Sequence, residues 1–364
     1  MNIAIDVSSY AKKGRTGIGL YLRCLVDHLA AIDTVNHYTL CHRLSRLRRW
    51  SYLLRVDHPN FRSKVFHERL NPFFPRRLDV FHGTDGRLPT YRNLKTVVTV
   101  HDVSVFVSDA YSSEGFRRKK GRRYRDLAER ATRIIADSES TRQGLIEHVD
   151  TDPARVCVVP LGVSPAFRPC PPEEQAAIRA KYGIEGAFIL YVGAITTRKN
   201  VQGMLRAFAR VAKQSEATLV LAGRPGRNAE AELAPIAELS LAGRVLLTGY
   251  VPDQDLAPLY SAARLFAFPT LYEGFGIPLL ETMACGTPAV TSNWSSMPEV
   301  AGDAALLVDP HDTEAMADAM LRLLADEGLH GELRARGIER AREFTWERTA
   351  RETLAVYQQA AQAD

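Results

Sequence analysis

Glu273-Gly274-Phe275-Gly276-Ile277-Pro278-Leu279-Leu280-Glu281 follows a short apolar run, Leu265–Phe268, and leads into a helical pattern. The run has the length and composition of a buried strand. Gly274 and Gly276 let the backbone approach a ligand closely. Pro278 suits a first helical turn, and the helix is predicted to run from Ile277 to Cys285 and to stop at Gly286. Its start offers free N–H groups and a positive dipole end, which together make an anion site. Glu273 falls in the loop and Glu281 about two turns along the helix, so the two carboxylates address different parts of one ligand. A sugar nucleotide, with its sugar hydroxyls, diphosphate and ribose diol, has that layout. The same residues also read as a tight turn ahead of a core helix, with Glu281 exposed.

Outward from this segment, short β-rich runs alternate with helical patterns. In the second half, strands fit Phe188–Val192, Thr218–Ala222, Val245–Thr248 and Pro288–Thr291, with helices near Val201–Gln214 and Asp255–Ala263. In the first half, strands fit Ile3–Val7, Asp79–His82, Thr96–Val100, Arg133–Asp137 and Val156–Pro160. Helices there fit Gly17–Ala31, Glu114–Ala131 and Ser140–Val149, the last capped by Ser138 or Ser140. Such alternation with near-continuous apolar strands means parallel sheets covered on both faces. The pattern occurs twice, separated by Gly162–Pro172, whose prolines at 165, 169, 171 and 172 mark a linker. The fold class is α/β, with two doubly wound domains facing a cleft. From Thr313 the chain is almost wholly helical, interrupted at Phe344-Thr345-Trp346 before a last helix, Glu347–Ala361.

Composition agrees. A chain of 364 residues with 46% apolar and 24% charged side chains is long enough for two or three domains with cores of their own. Its longest apolar run, Ala187–Val192, is far short of the roughly 20 residues of a transmembrane helix. Met1–Ser9 does not match a signal peptide. The five cysteines are odd in number and form no CxxC, which argues against a disulfide framework or zinc site and for a reducing cytosol. Residues 1–165 hold 28 Lys and Arg against 17 Asp and Glu, and the remainder 19 against 25. The positive charge concentrates in Arg43, Arg46, Arg48 and Arg49, followed by Trp50, Tyr52 and Leu53, and in Arg117–Lys120, Arg122, Arg123 and Arg125. These read either as solvated surface or as docking sites for anionic head groups or a phosphorylated acceptor. No nucleic-acid recognition pattern accompanies them.

Other segments lie at predicted strand ends, where open α/β sheets bind ligands. Gly193-Ala194-Ile195-Thr196-Thr197-Arg198-Lys199-Asn200 follows Phe188–Val192, and its Arg198 and Lys199 suit a diphosphate. Taken alone it also reads as a basic surface turn. Thr16-Gly17-Ile18-Gly19 fails as a dinucleotide fingerprint, because Leu22 stands where the third glycine belongs. His101-Asp102 ends the strand Thr96–Val100, which leaves His101 open to a structural or a functional role. Asp253/Asp255 and Asp150/Asp152 resemble metal-binding pairs, but Asp253 reads better as a helix N-cap and Asp152 as a turn residue before Pro153. No metal is expected.

In this combination the chain resembles retaining glycosyltransferases of the two-domain GT-B type, specifically the family 4-like group and its mannosyltransferase-like members. Glu273 to Glu281 matches that group's E-x7-E signature. Thr197-Arg198-Lys199-Asn200 resembles its P-R-K-N segment, with Thr197 in place of Pro. Leu221-Ala222-Gly223-Arg224-Pro225 and Thr248-Gly249-Tyr250-Val251-Pro252 match its strand-end loops, and Thr16–Gly19 and Val100–Asp102 its acceptor-side motifs. Many members carry Gly-Arg where this chain has Gly193-Ala194, which shifts the phosphate contact onto Arg198.

The resemblance implies an acceptor-binding domain over 1–163, a linker over 164–172 and a nucleotide-sugar-binding domain over 173–344. It also implies a helix, 345–364, that packs back on the first domain. Catalysis would fall to His101, Arg198, Lys199 and Glu273. The donor would be held by Gly17, Gly193, Arg224, Tyr250, Val251, Gly274, Phe275, Gly276, Ile277 and Glu281, with Glu281 on the ribose. The reaction implied is metal-free and cofactor-free transfer of a sugar, best matched by mannose from GDP-mannose, to a lipid-linked or oligosaccharide acceptor in surface-polysaccharide assembly. The setting implied is cytoplasmic, at the inner face of an anionic membrane. A UDP-sugar transferase, a nucleotide-sugar epimerase or phosphorylase of the same fold, and a non-enzymatic sugar-nucleotide-binding protein are the alternatives. Intact glutamates and Arg198-Lys199 argue against the last.

Overall fold

A computed structural model describes residues 1–10, 17–45, 53–67, 74–91 and 94–363. The chain divides into two compact units, Met1–Gly162 with Thr345–Asp364, and Val163–Phe344.

The first unit carries seven strands: β1 (Asn2–Asp6), β2 (His37–Arg43), β3 (Phe61–Phe66), β4 (Val80–Gly83), β5 (Thr96–Val100), β6 (Arg133–Ala136) and β7 (Val156–Val158). They form one sheet in the order β3-β2-β1-β4-β5-β6-β7, every pair parallel. All five residues of β5 are buried, as expected where helices cover both faces. The strands β2 and β3 are absent from the sequence expectation. The β3 segment, Phe-Arg-Ser-Lys-Val-Phe, buries only its two end phenylalanines, so it shows no apolar run. The helix Trp346–Gln362 belongs to this unit and packs on Gly17–Ile32, with the Tyr21 and Trp346 rings 6.4 Å apart. Tyr357 on the same helix bonds the buried His82 at 2.7 Å. Ser138, not Ser140, caps the helix Glu139–Val149 by accepting from the Thr141 N–H.

The second unit carries β8 (Phe188–Val192), β9 (Thr218–Ala222), β10 (Val245–Gly249), β11 (Leu265–Phe268), β12 (Ala289–Ser292) and β13 (Leu306–Val308). Their order is β10-β9-β8-β11-β12-β13, again all parallel. In both sheets the strand order therefore reverses at one place, between β1 and β4 and between β8 and β11. Beyond the carboxyl ends of the strands, such a switch point is where doubly wound sheets bind ligands. The loops after β8 and β11 are the two segments that the sequence singles out.

Candidate active site

Three side chains converge at the second sheet's switch point. Arg198 Nη1 donates to Glu273 Oε1 at 2.8 Å and to the Tyr272 carbonyl at 2.6 Å. Lys199 Nζ pairs with the same Oε1 and lies 4.5 Å from the centroid of the Phe268 ring, at the end of β11. The sequence treats the two cations and the glutamate as separate contacts; the fold makes them one cluster. Burial pushes the Lys199 ammonium below its ordinary range, and Arg198 adds to this against the pull of Glu273. Burial pushes the Glu273 carboxyl up, but Arg198 and Lys199 outweigh it and hold it below the ordinary value.

Local structure fixes the cluster. Thr197–Lys199 makes one 3-10 turn, and Asn200, in the left-handed conformation with φ 56°, starts the helix Val201–Val211. The Asn200 side-chain amide donates to the carbonyls of Pro269 (3.1 Å) and Pro310 (2.7 Å), which ties together the loops after β8, β11 and β13. Across the turn, the Glu273 N–H donates to Ser295 Oγ at 3.0 Å. The Ser296 hydroxyl lies 3.0 Å from the Glu273 carbonyl and 2.9 Å from that of Phe275. Gly276 has φ 104°, and a Cβ there would strike Met297. The backbone angle is what demands glycine here, since the end of the flexible Met297 side chain could shift.

The helix begins at Ile277, so Glu281 is its fifth residue, a little over one turn in rather than about two. Glu281 is buried, not exposed, and its Oε2 accepts from the Tyr260 hydroxyl at 3.1 Å. At the neighbouring strand ends Arg224 stacks on Tyr250, with its guanidinium carbon 4.3 Å from the ring centroid, and Val251 is buried. Gly193 donates its N–H to the Ala222 carbonyl at 2.9 Å. Gly193, Arg198, Lys199, Arg224, Tyr250, Val251, Glu273–Ile277 and Glu281 all lie in this one unit.

His101 and Gly17 belong to the first unit. His101 Nδ1 meets Asp137 Oδ2 at 2.6 Å, and Nε2 meets the Thr84 carbonyl at 3.0 Å. Burial pulls the imidazole pKa down, but Asp137, with Asp85 and the Thr84 carbonyl, outweighs it and raises the ring above its ordinary value. Gly17 opens the helix Gly17–Ile32, and a Cβ there would meet open space. Thr16 lies outside the described residues.

The aspartate pairs are otherwise occupied. Pro252 is the N-cap of the helix Asp253–Ala262, so Asp253 is a first-turn residue and not the cap. Asp255 is engaged by Lys181 (2.6 Å) and Tyr182 (2.7 Å). Asp152 does cap the short turn at Pro153–Arg155, and Asp150 ends a helix with φ 56°. Among the described residues no group of three or more His, Cys, Asp or Glu side chains could hold a metal ion.

Asn200, Ser295, Ser296 and Asp137 are the supports that sequence reasoning misses. Asp137 was legible in principle, since it ends the strand beside the one that ends at His101. Ser295 and Ser296 stand 22 and 23 residues from Glu273 and carry no local signal.

Two all-parallel Rossmann-like units in one chain make the GT-B architecture. Residues 19–167 match the Glycosyltransferase Family 4 domain, and residues 174–344 match the glycosyl transferases group 1 domain. The O-antigen chain mannosyltransferase B of Escherichia coli is 31% identical over 368 residues, covering 94% of this chain and 96% of that protein. A D-inositol 3-phosphate glycosyltransferase of Acidothermus cellulolyticus is 32% identical over 310 residues, covering 79% and 68%. The solved sucrose-phosphate synthase of Thermosynechococcus elongatus superposes with a TM-score of 0.79 over 98% of each chain, at 22% identity. The chain belongs to the GT-B glycosyltransferases of group 1, with a family 4 first half, and it is an enzyme of that class.

Proposed function

We propose that this enzyme moves mannose from GDP-mannose to a lipid-linked or saccharide acceptor in surface-polysaccharide assembly, with retention of anomeric configuration. The observation that carries the reading is the Arg198–Lys199–Glu273 cluster at the switch point of the second sheet. Arg198 and Lys199 neutralise the departing diphosphate, helped by the helix start at Ile277. Glu273 keeps the two cations together and, with Gly274–Gly276, holds the donor sugar. Glu281 takes the ribose hydroxyls, and Arg224, Tyr250, Val251 and Gly193 complete the nucleotide contacts. On a front-face route the bond from the anomeric carbon to the phosphate oxygen breaks. The acceptor oxygen bonds to that carbon on the same face, and its proton passes to the leaving phosphate oxygen. Gly17 and His101 serve the transfer from the first unit, which takes the acceptor. The choice of mannose and of polysaccharide assembly is supported by the Escherichia coli relative.

No metal enters this scheme, because two basic side chains and a helix end already meet the diphosphate. The enzyme also works at an anionic membrane surface. No helix among the described residues is long and apolar enough to cross a bilayer. The helix Glu114–Arg130 exposes Phe116, Arg118, Lys119, Arg122 and Arg125 alongside Glu114, Asp126 and Glu129, while Arg117 and Lys120 of the same cluster are spent on Asp109 and Asp102. In the other cluster Arg43 pairs with Asp6, and Arg46, Arg48, Arg49, Trp50 and Tyr52 lie outside the described residues.

A thermal-shift panel of GDP, UDP, ADP and TDP tests the donor. At 100 times its dissociation constant the cognate diphosphate stabilises by about 2.7 kcal/mol. A larger shift with UDP than with GDP would refute the GDP-mannose assignment.

A further inference from the structure

A second polar cavity lies at the switch point of the first sheet. It measures about 90 Å³, and its lining includes Asp6 at the end of β1, Ser9 after it, Arg43 at the end of β2, and Thr84, Asp85 and Arg87 after β4. That is several times the room one water needs, and its lining is polar or charged throughout.

Its Asp6 carboxylate is satisfied at both oxygens and its Asp85 carboxylate at one. Asp6 Oδ1 accepts from the Ser8 N–H at 3.0 Å, and Oδ2 takes Arg43 Nε at 3.0 Å and Nη2 at 2.9 Å. Asp85 Oδ2 accepts from the Ser9 hydroxyl at 2.8 Å. Arg87 differs. Its guanidinium makes no hydrogen bond or ion pair among the described residues, although Asp85 stands in the same cavity. Arg123 adds a third guanidinium nearby, and its Nε is buried without a partner. Partial burial and then the repulsion of Arg123 and Arg43 pull the Arg87 pKa down, against Asp85 and Asp6. Arg43 and Asp6 neutralise each other, so Arg87 in the lining and Arg123 beside it stand against the single carboxylate of Asp85, and the surplus positive charge favours an anion.

We propose that this cavity is an oxyanion subsite in which Arg87 takes a phosphate group carried by the acceptor glycan. The proposal rests on the reading of the first unit as the acceptor domain. Guanidinium is the side chain best matched to such a group, because its planar fork can present two N–H donors at once. The cavity admits the tetrahedral head of a sugar phosphate and leaves the hexose ring outside. Its position ties it to transfer: Thr84 lines the cavity, and its carbonyl holds His101 Nε2. An anion seated here would therefore fix the acceptor beside the residue that His101 leans on.

The test uses the full chain and calorimetric titration with two probes, inorganic phosphate and mannose 6-phosphate. The wild type is compared with Arg87→Gln and Arg87→Glu. Arg87 is exposed and makes no described hydrogen bond or ion pair, so both variants should keep the wild-type Tm. The sugar phosphate should bind the wild type more tightly than inorganic phosphate does. Both variants should lose roughly tenfold to a hundredfold in its affinity. Binding of nucleoside diphosphate, which belongs to the other unit, should not change. Unaltered sugar-phosphate affinity in both variants, or none in the wild type, overturns the subsite. Tighter binding of inorganic phosphate than of the sugar phosphate overturns its assignment to the acceptor. Failure of the wild type to bind any nucleoside diphosphate would instead count against the donor reading and leave the Arg87 comparison standing.

Discussion

Glu273→Gln separates two roles that one carboxylate performs. Its Oε1 takes both Arg198 and Lys199, and the side chains of Arg198, Lys199 and Glu273 are 28%, 10% and 12% exposed. Glutamine keeps the size and removes the charge, so two cations are left side by side with little water to screen them. Breaking a buried pair from one side costs about 3–5 kcal/mol. The partial exposure of Arg198 admits some screening, which favours the lower end, about 3 kcal/mol. In a domain of 150–250 residues each kcal/mol moves Tm by about 2–4 °C, so the second unit should melt roughly 6–12 °C lower. Nucleoside diphosphate supplies the missing negative charge, so the variant should bind it more tightly than the wild type, and the deficit should shrink when GDP is added. Glu273→Gln/Lys199→Met removes the second charge as well and should recover most of the loss. The pH dependence has a definite sign. Because the folded-state Glu273 carboxyl sits below its ordinary 4.5, its contribution is present above that value and is lost as pH falls through the folded one. Wild type and variant should therefore draw together as pH falls below 4.5 and converge once it has passed the folded-state value. Scanning calorimetry with and without GDP, from acid to neutral pH, is the assay. A neutral-pH Tm within about 2 °C of the wild type would refute the buried cluster as the element that holds this loop.

Glu281→Ala should weaken nucleoside diphosphate binding by roughly tenfold to a hundredfold, since charge-assisted bonds to a diol contribute about 1.5–3 kcal/mol each; unchanged calorimetric affinity in a folded variant removes the ribose role. Arg198→Ala and Lys199→Ala should lower kcat more than they raise the acceptor KM, because the diphosphate charge develops in the transition state, and wild-type kcat at saturating donor would contradict this. Activity should be unchanged in EDTA; loss on chelation with recovery on adding manganese would reverse the metal-free scheme. The protein should co-sediment with anionic but not neutral vesicles at 0.1 M salt and release near 1 M, where the Debye length falls from roughly 10 Å to 3 Å; equal, negligible binding to both vesicle types leaves the basic helix as plain surface.

The strand-turn-helix at Leu265–Ala284 was legible because each of its signals is local: an apolar run, two glycines, then a proline. The parallel architecture was legible because buried strands such as β8 and β11 read as continuous apolar runs. The strand β3 was not, since its middle residues face water at the sheet edge, and β13 has only three residues. At the site, the residue types were readable but their pairing was not. Glu273 lies 75 residues from Arg198, and only the adjacency of β8 and β11 brings them to 2.8 Å. Burial of Glu281 likewise depends on Tyr260, which sits on a different helix. His101 could be placed at a strand end from sequence alone, whereas its clamping by Asp137 and Thr84 required the β4-β5-β6 order.

The most direct test of the central claim is transfer itself, followed by NMR with GDP-mannose labelled with 13C at the anomeric carbon and a mannose-terminated oligosaccharide acceptor. The account predicts a mannoside with the anomeric configuration of the donor, formed by the wild type and lost in Lys199→Ala. A product of inverted configuration, or no mannosyl transfer while another nucleotide sugar is consumed, would contradict it.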